Sequence, residues 1–160
     1  MTAKVTAKVP RRVQAESPAR PPSSEKRVPW ITAEAPPRHT DVGPNIGKWL
    51  VFVPAAEVDS WWCTIKIATE AGSLGPDAKV ATAVPSPRAY PGKRVIVVYT
   101  FDFQDRDDVG RVLGELRSIG VDWTLSYKTD EATASGRYGP GTAIYVSFGS
   151  SLEFKECKPG

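Results

Sequence analysis

The side chains of this 160-residue chain that could do chemistry are cations rather than histidines or paired thiols. Lys79, Arg88, Lys93 and Arg94 gather in the middle of the sequence, and Lys128, Arg137 and Tyr138 follow. The chemistry open to such a set is anion recognition. A guanidinium binds phosphate through two parallel hydrogen bonds, and a lysine that is partly buried or crowded by other cations holds its proton less tightly, so part of it can act as a base. Taken singly, each of these residues is more often a solvated charge at a strand end, and spacing alone leaves both readings open.

Other chemistries drop out. The single histidine, His39, lies outside the stretches that read as core, so no Ser-His or Cys-His pair can be assembled. Cys63 and Cys157 stand alone without metal-ligand spacing, which excludes a Cys/His zinc site and suits a reducing compartment. There is no Gly-rich phosphate loop, no Gly-x-Ser-x-Gly elbow and no His-Glu-x-x-His. Neither a metal nor a cofactor is expected.

The elements that must position the cations follow from periodicity. The run Lys48-Trp-Leu-Val-Phe-Val53, bounded by Pro54, predicts a strand. From residue 55 to 71, Val58, Trp61, Trp62, Ile65 and Ala68 recur at helical spacing, with Glu57 and Asp59 in the first turn and Gly72 as the stop. Residues 79–84 read as a short strand and residues 94–103 as the strongest β-run, expected near the centre of the sheet. Asp105 caps a second helix whose buried stripe is Val109, Val112, Leu113 and Leu116, ended by Gly120. Residues 123–128 and 143–148 predict two more strands, joined by a polar, Gly-rich stretch with a short helical turn over residues 130–134. Two helices cannot cover both faces of five strands. The expectation is therefore an α+β fold: a curved, mainly antiparallel sheet with the helices on one face and the other open or partly filled by loops. Trp49, Trp123 and one of the adjacent Trp61 and Trp62 read as core; Trp30 has no evident partner.

Charge divides the chain. Residues 1–40 hold eight Lys/Arg against three Glu, or +5, and the remaining thirteen Lys/Arg against fifteen Asp/Glu give −2. Seven of the fifteen prolines and the doubled Thr-Ala-Lys-Val at residues 2–9 also fall there. Residues 1–40 therefore read as a disordered, basic, proline-rich tail and residues 41–160 as one domain. The tail could touch nucleic acid or an acidic partner, although no aromatic is interleaved with its charges before Trp30, and a solubilising role is the simpler reading. No apolar h-region follows Met1 and no run is long enough to span a bilayer, so the expected location is the cytoplasm.

Several separated motifs occur in order: Gly47-Lys-Trp-Leu-Val-Phe-Val-Pro54, Glu57-Val-Asp-Ser-Trp61, Ala78-Lys-Val-Ala-Thr82, Val97-Val-Tyr-Thr100, Asp107-Asp-Val109 and Ser126-Tyr-Lys-Thr-Asp-Glu131. Together, over residues 47–148, they resemble the basophilic-leukaemia-expressed protein family. That family is similar in fold to the cap-binding translation initiation factors, and the resemblance implies a curved antiparallel sheet backed by helices and a phosphothreonine lyase-like activity. Tyr127-Lys128, Arg137-Tyr138 and Ala143-Ile-Tyr-Val146 also resemble, over about forty residues, the lyase domains of lanthipeptide synthetases. This second likeness implies β-elimination of phosphate from a phosphorylated peptide. Lys128 would be the base, and Arg137 and Tyr138 would lie near the phosphate or carbonyl. Lys79 and Arg88 are added as phosphate ligands by position.

One departure matters: the histidine that those lyases use as general acid is absent from Ala78-Lys-Val-Ala-Thr82. A non-catalytic module that binds a phosphopeptide or nucleotide on the same fold is therefore the alternative, and a partner-binding role carried by the basic tail is a third.

Overall fold

The computed structural model describes residues 20–37, 42–131 and 142–157. Within them an antiparallel sheet of seven strands forms the frame: β1 (Trp30–Glu34), β2 (Gly47–Pro54), β3 (Asp77–Ala81), β4 (Lys93–Thr100), β5 (Leu125–Thr129), β6 (Tyr145–Ser147) and β7 (Lys155–Glu156). Their spatial order is β1-β3-β4-β2-β5-β6-β7, so β2 is the middle strand and β4 lies beside it. A 3₁₀ turn (Ala55–Glu57) leads into α1 (Val58–Glu70), and α2 (Arg106–Ser118) connects β4 to β5. The α+β architecture, a curved sheet with two helices, is the one the periodicities predict.

Side chains alternate across a strand, and the β2–β4 register shows which side holds the core. Trp49 faces Val98 and Val51 faces Ile96, and all four are buried in one cluster with Val58, Trp62 and Ile65 of α1 and Val109, Val112, Leu113 and Leu116 of α2. Both helices therefore cover the same face. The indole Nε1 of Trp49 donates to the Val109 carbonyl at 3.2 Å, and its ring meets Tyr127 edge-on at 5.1 Å between centroids. These contacts tie α2 to the centre of the sheet. The helix limits follow their local chemistry. The Asp105 side chain accepts from the Asp108 amide at the start of α2, and Gly72 and Gly120, beyond the two helix ends, have φ of 82° and 106°.

The N-terminal boundary expected at residue 41 is incorrect. Residues 1–19 and 38–41 lie outside the described residues, but residues 20–37 belong to the fold. Trp30–Glu34 is the edge strand β1, paired antiparallel with β3, and its Ala33 is buried in the core. Ahead of it the Thr82 hydroxyl donates to the Val28 carbonyl, the Ser23 amide donates to Asp59 on α1, and buried Glu25 is ion-paired with Arg27. The reason the sequence conceals β1 is that Pro29 and Pro36-Pro37 flank it. Proline is excluded from central strands but tolerated at sheet edges. The sequence likewise gives no signal for β7, two residues long, so seven strands stand among the described residues where the periodicities predict five. Asp130 and Glu131 begin the expected helical turn; residues 132–134 lie outside the described residues. Among the described residues no helix is long and apolar enough to cross a membrane, and no group of three or more His, Cys, Asp or Glu could hold a metal ion.

Two predictions follow from this packing. A chain shortened to begin at residue 41 loses the neighbour that lies against Val80 and Ala78. Uncovering Val80 alone costs about 1.5–3 kcal/mol, so thermal denaturation should show Tm lower by several degrees. Gly75→Ala places a methyl group against the backbone carbonyl of Tyr99, which cannot swing aside as a side chain would. A loss of about 1–3 kcal/mol is expected in chemical denaturation.

Candidate anion-binding face

The alternation that turns Trp49, Val51 and Val53 toward the helices turns Lys48, Leu50 and Phe52 the other way. On that far face Lys48 has Tyr99 of β4 opposite it on one side and Lys128 of β5 opposite it on the other. Lys79 of β3 shares this face through its register with Val97, and Glu34 of β1 stands opposite Asp77 of β3. Three lysines, a tyrosine and two carboxylates thus come from five strands. Trp30, at the outer edge, lies with its ring 4.2 Å from the Lys79 Nζ.

Burial gives this face its character. Lys48 is only 4% exposed and Lys128 only 7%, although lysine is almost never buried without compensation. For Lys48 the compensation is visible: its Nζ lies 3.0 Å from Oδ1 of Asp130, the residue after β5, whose side chain remains 49% exposed. The Nζ atoms of Lys48 and Lys79 lie 5.6 and 5.9 Å from the centroid of the Tyr99 ring, whose π-face favours a cation.

The ionisations follow. The Lys79 amine is shifted below the ordinary lysine value, chiefly by burial and then by the charge of Lys48; Asp130 and Asp77 pull it back in part. Burial pushes the Asp77 carboxyl up, as does Glu34, against the opposing effect of Lys79. The Tyr99 phenol is pushed up, first by burial and then by Asp130 and Asp77, so it stays a neutral hydroxyl that can donate a hydrogen bond.

The residues singled out in the sequence divide accordingly. Lys79 and Lys128 share this face. Arg88 lies on the exposed loop between β3 and β4, whose Tyr90 packs on Phe52 with centroids 5.0 Å apart. Phe52 is four residues along β2 from Lys48, about 13 Å at the usual strand rise, so Arg88 belongs to the far end of the sheet. Arg94 occupies the helix-side register and donates to the Pro22 carbonyl at 3.4 Å. Arg137 and Tyr138 lie outside the described residues.

Sequence reasoning missed Lys48, Tyr99, Asp77 and Asp130. A signal for Lys48 existed. Counting in twos from the core positions Trp49, Val51 and Val53 sets Lys48 in line with Leu50 and Phe52, on the face away from the core. Trp30 gains its partner, Lys79, only because β1 joins the sheet.

The raised Asp77 carboxyl gives a pH-dependent prediction. A group whose folded pKa lies above its unfolded value adds stability only where it is protonated, and loses it as pH rises through the folded value. At neutral pH the ionised Asp77 is therefore a liability. Asp77→Asn should raise Tm at pH 7, and the gain should vanish as pH falls below the ordinary aspartate value of 3.8. Thermal melts of both proteins across pH 3 to 8, roughly the window in which an aspartate shifted upward titrates, check the sign.

The model of the family described as Basophilic leukemia-expressed protein Bles03 matches residues 38–134. The match takes in β2 through β5, both helices, and Lys48, Asp77, Lys79, Tyr99, Lys128 and Asp130. It stops short of β1 on one side and β6 and β7 on the other. It covers more than half of the chain, in the order the motifs follow, and the chain belongs to the Basophilic leukemia-expressed protein Bles03 family.

Proposed function

We propose that the face carrying Lys48, Lys79 and Lys128 recognises a phosphorylated peptide, and that Lys128 acts there as a base that eliminates phosphate from phosphothreonine or phosphoserine. The observation that carries this reading is the pairing of Lys48 with Lys128. Two buried lysines stand directly opposite each other on neighbouring strands, which gathers cationic side chains at one point of the face. Asp130 already supplies an anion to Lys48 from a half-exposed position. A phosphate arriving from solvent takes up the same role and adds a second negative charge. Lys79 and Tyr99 share the face as further donors.

The elimination is a proton abstraction coupled to loss of a leaving group. In its neutral form Lys128 takes the proton from Cα, the Cα–H electron pair forms the Cα=Cβ double bond, and the Cβ–O bond breaks with its electron pair leaving on the phosphate, giving a dehydroamino acid and a protonated Lys128. Lys48 and Lys79 stabilise the charge that develops on the departing oxygen. No histidine acid stands in this set, and the cations lower the barrier to leaving without protonating the oxygen first.

A second reading has its own support. Trp30 and Tyr99 put two aromatic rings on the same face as the lysines, and a nucleotide would use the rings for its base and the lysines for its phosphates. It binds without turnover.

Mass spectrometry of phosphothreonine peptides incubated with the protein separates these outcomes. Elimination shows as loss of phosphoric acid from the peptide, abolished by Lys128→Ala. Peptide retained intact by the protein, and released by Lys128→Ala, marks a binding module. If no phosphopeptide is altered or retained, and a nucleoside triphosphate is retained instead in a manner sensitive to Trp30→Ala, the second reading replaces the first.

A further inference from the structure

Strand β1 borders β3 on one side and, among the described residues, is open on the other. The register shows which backbone groups this leaves free. The Pro29 carbonyl accepts from the Thr82 amide and the Ala35 amide donates to the Pro76 carbonyl, so the odd-numbered residues of this stretch direct their N–H and C=O groups to β3. Trp30, Thr32 and Glu34 direct theirs outward. Their exposed side chains rise on the lysine face, while Ile31 and Ala33 turn to the core. An edge with a row of free amides and carbonyls is a template for another strand.

The edge is complementary to itself. Antiparallel pairing of two copies about Thr32 sets Thr32 against its counterpart and Trp30 against Glu34 of the second copy, and every outward N–H and C=O of both strands then has a partner. Pro36, the next residue on the outward side, has no N–H and ends the ladder there. Charge agrees with this register. Within its own chain Glu34 stands across from Asp77, a like-charge pair. Across the pairing it meets Trp30 of the second copy, whose ring lies 4.2 Å from the Lys79 Nζ. Opposed residues of such a pair have Cα atoms about 5.5 Å apart, so the carboxylate of one copy comes beside the ammonium of the other.

We infer that two copies of this chain associate edge to edge through β1, joining their sheets into one, with Glu34 of each copy paired with Lys79 of the other. The same patch is used on both copies, so the contact closes as a twofold dimer. The sheet's other edge, β7, is only two residues long and offers no comparable ladder for further growth. A pairing of five-residue strands is a small interface, which places the dimer in reversible exchange with the monomer. The inference does not rest on the phosphate reading of the face.

Sedimentation velocity of the full chain over a range of concentrations reads the association, and amide hydrogen exchange locates it. The sedimentation coefficient should rise from the monomer to the dimer value with concentration, and the amides of Trp30, Thr32 and Glu34 should exchange more slowly in step. Thr32→Pro removes an outward N–H and leaves the bonds of Ile31 and Ala33 to β3 in place, so this variant should remain a monomer. Glu34→Lys keeps the backbone intact and puts an opposite charge across from Asp77. It should fold at least as stably as the parent and yet dimerise severalfold more weakly at low salt, and adding Lys79→Glu should restore the association. This second variant carries the test even if Thr32→Pro fails to fold. A chain that stays monomeric at every concentration, a dimer indifferent to Glu34→Lys, or assembly beyond the dimer overturns the inference. So do outward amides that exchange slowly at all concentrations, which would mean that the edge is covered by another part of the same chain, such as residues 1–19.

Discussion

The pleat of β2 couples the hydrophobic core to the face that carries the lysines. Trp49 is fully buried, its indole nitrogen is bonded to the Val109 carbonyl, and its ring is set against Tyr127. With Trp49 fixed, the neighbouring Lys48 must project from the opposite side, and the β2–β5 register then brings Lys128 to it. Tyr127 and Lys128 repeat the relation on β5: the tyrosine packs against Trp49 and shares a hydrogen bond with the Thr100 hydroxyl, and the lysine points away. A slip of one residue in either strand would turn that strand's lysine into the apolar core. The core packing that stabilises the sheet is therefore also what determines where the charges sit.

Those charges are held at some cost. Taking an ammonium group out of water is unfavourable by several kcal/mol before compensation, and this face places three lysines close together. Compensation comes in two forms. Asp130, delivered by the end of β5, meets Lys48 directly, and the Tyr99 ring offers its π-face to Lys48 and Lys79 without adding a formal charge. Asp77 contributes less than its position promises, because burial and Glu34 resist its ionisation. Replacing buried charged groups with well-packed apolar side chains is often neutral or stabilising, so the stability of the fold does not by itself require these charges.

Much of the frame was legible in the sequence because it depends on local rules. The 3.6-residue recurrence of Val109, Val112, Leu113 and Leu116, the Asp105 cap and the glycines after each helix are all short-range signals, and the structure follows them. The adjacent Trp61 and Trp62 divide as helix geometry requires: Trp62 enters the core and Trp61 packs on Trp123 at the rim. What was not legible depends on partners distant in sequence. Trp30–Glu34 is apolar on one side only through Ile31 and Ala33, and it becomes a strand because β3 offers an edge. Asp77, Tyr99, Lys48 and Asp130 have no common spacing; they meet only because β3, β4, β2 and β5 are consecutive in the sheet. Arg88 shows the converse, since nearness in sequence to Lys79 did not bring it to the same end of the face.

The position of Asp130 bears on how the proposed site would work. It is the acidic group in contact with the buried Lys48, yet half of its surface faces solvent, and it stands at the start of a turn rather than within a strand. A carboxylate so placed can yield to a competing anion without disturbing the sheet. A phosphate that took its place would keep Lys48 neutralised, so the cost of burying that lysine would not be incurred a second time on binding. The displaced Asp130 would also cease to favour the charged form of Lys79. Ligand binding would then alter the balance at the lysine between the two rings, with the ligand's own charge opposing that change. Whether the face releases or retains protons on binding would thus depend on how far the phosphate sits from Lys79, a quantity set by the separation of β3 and β2 across the intervening β4.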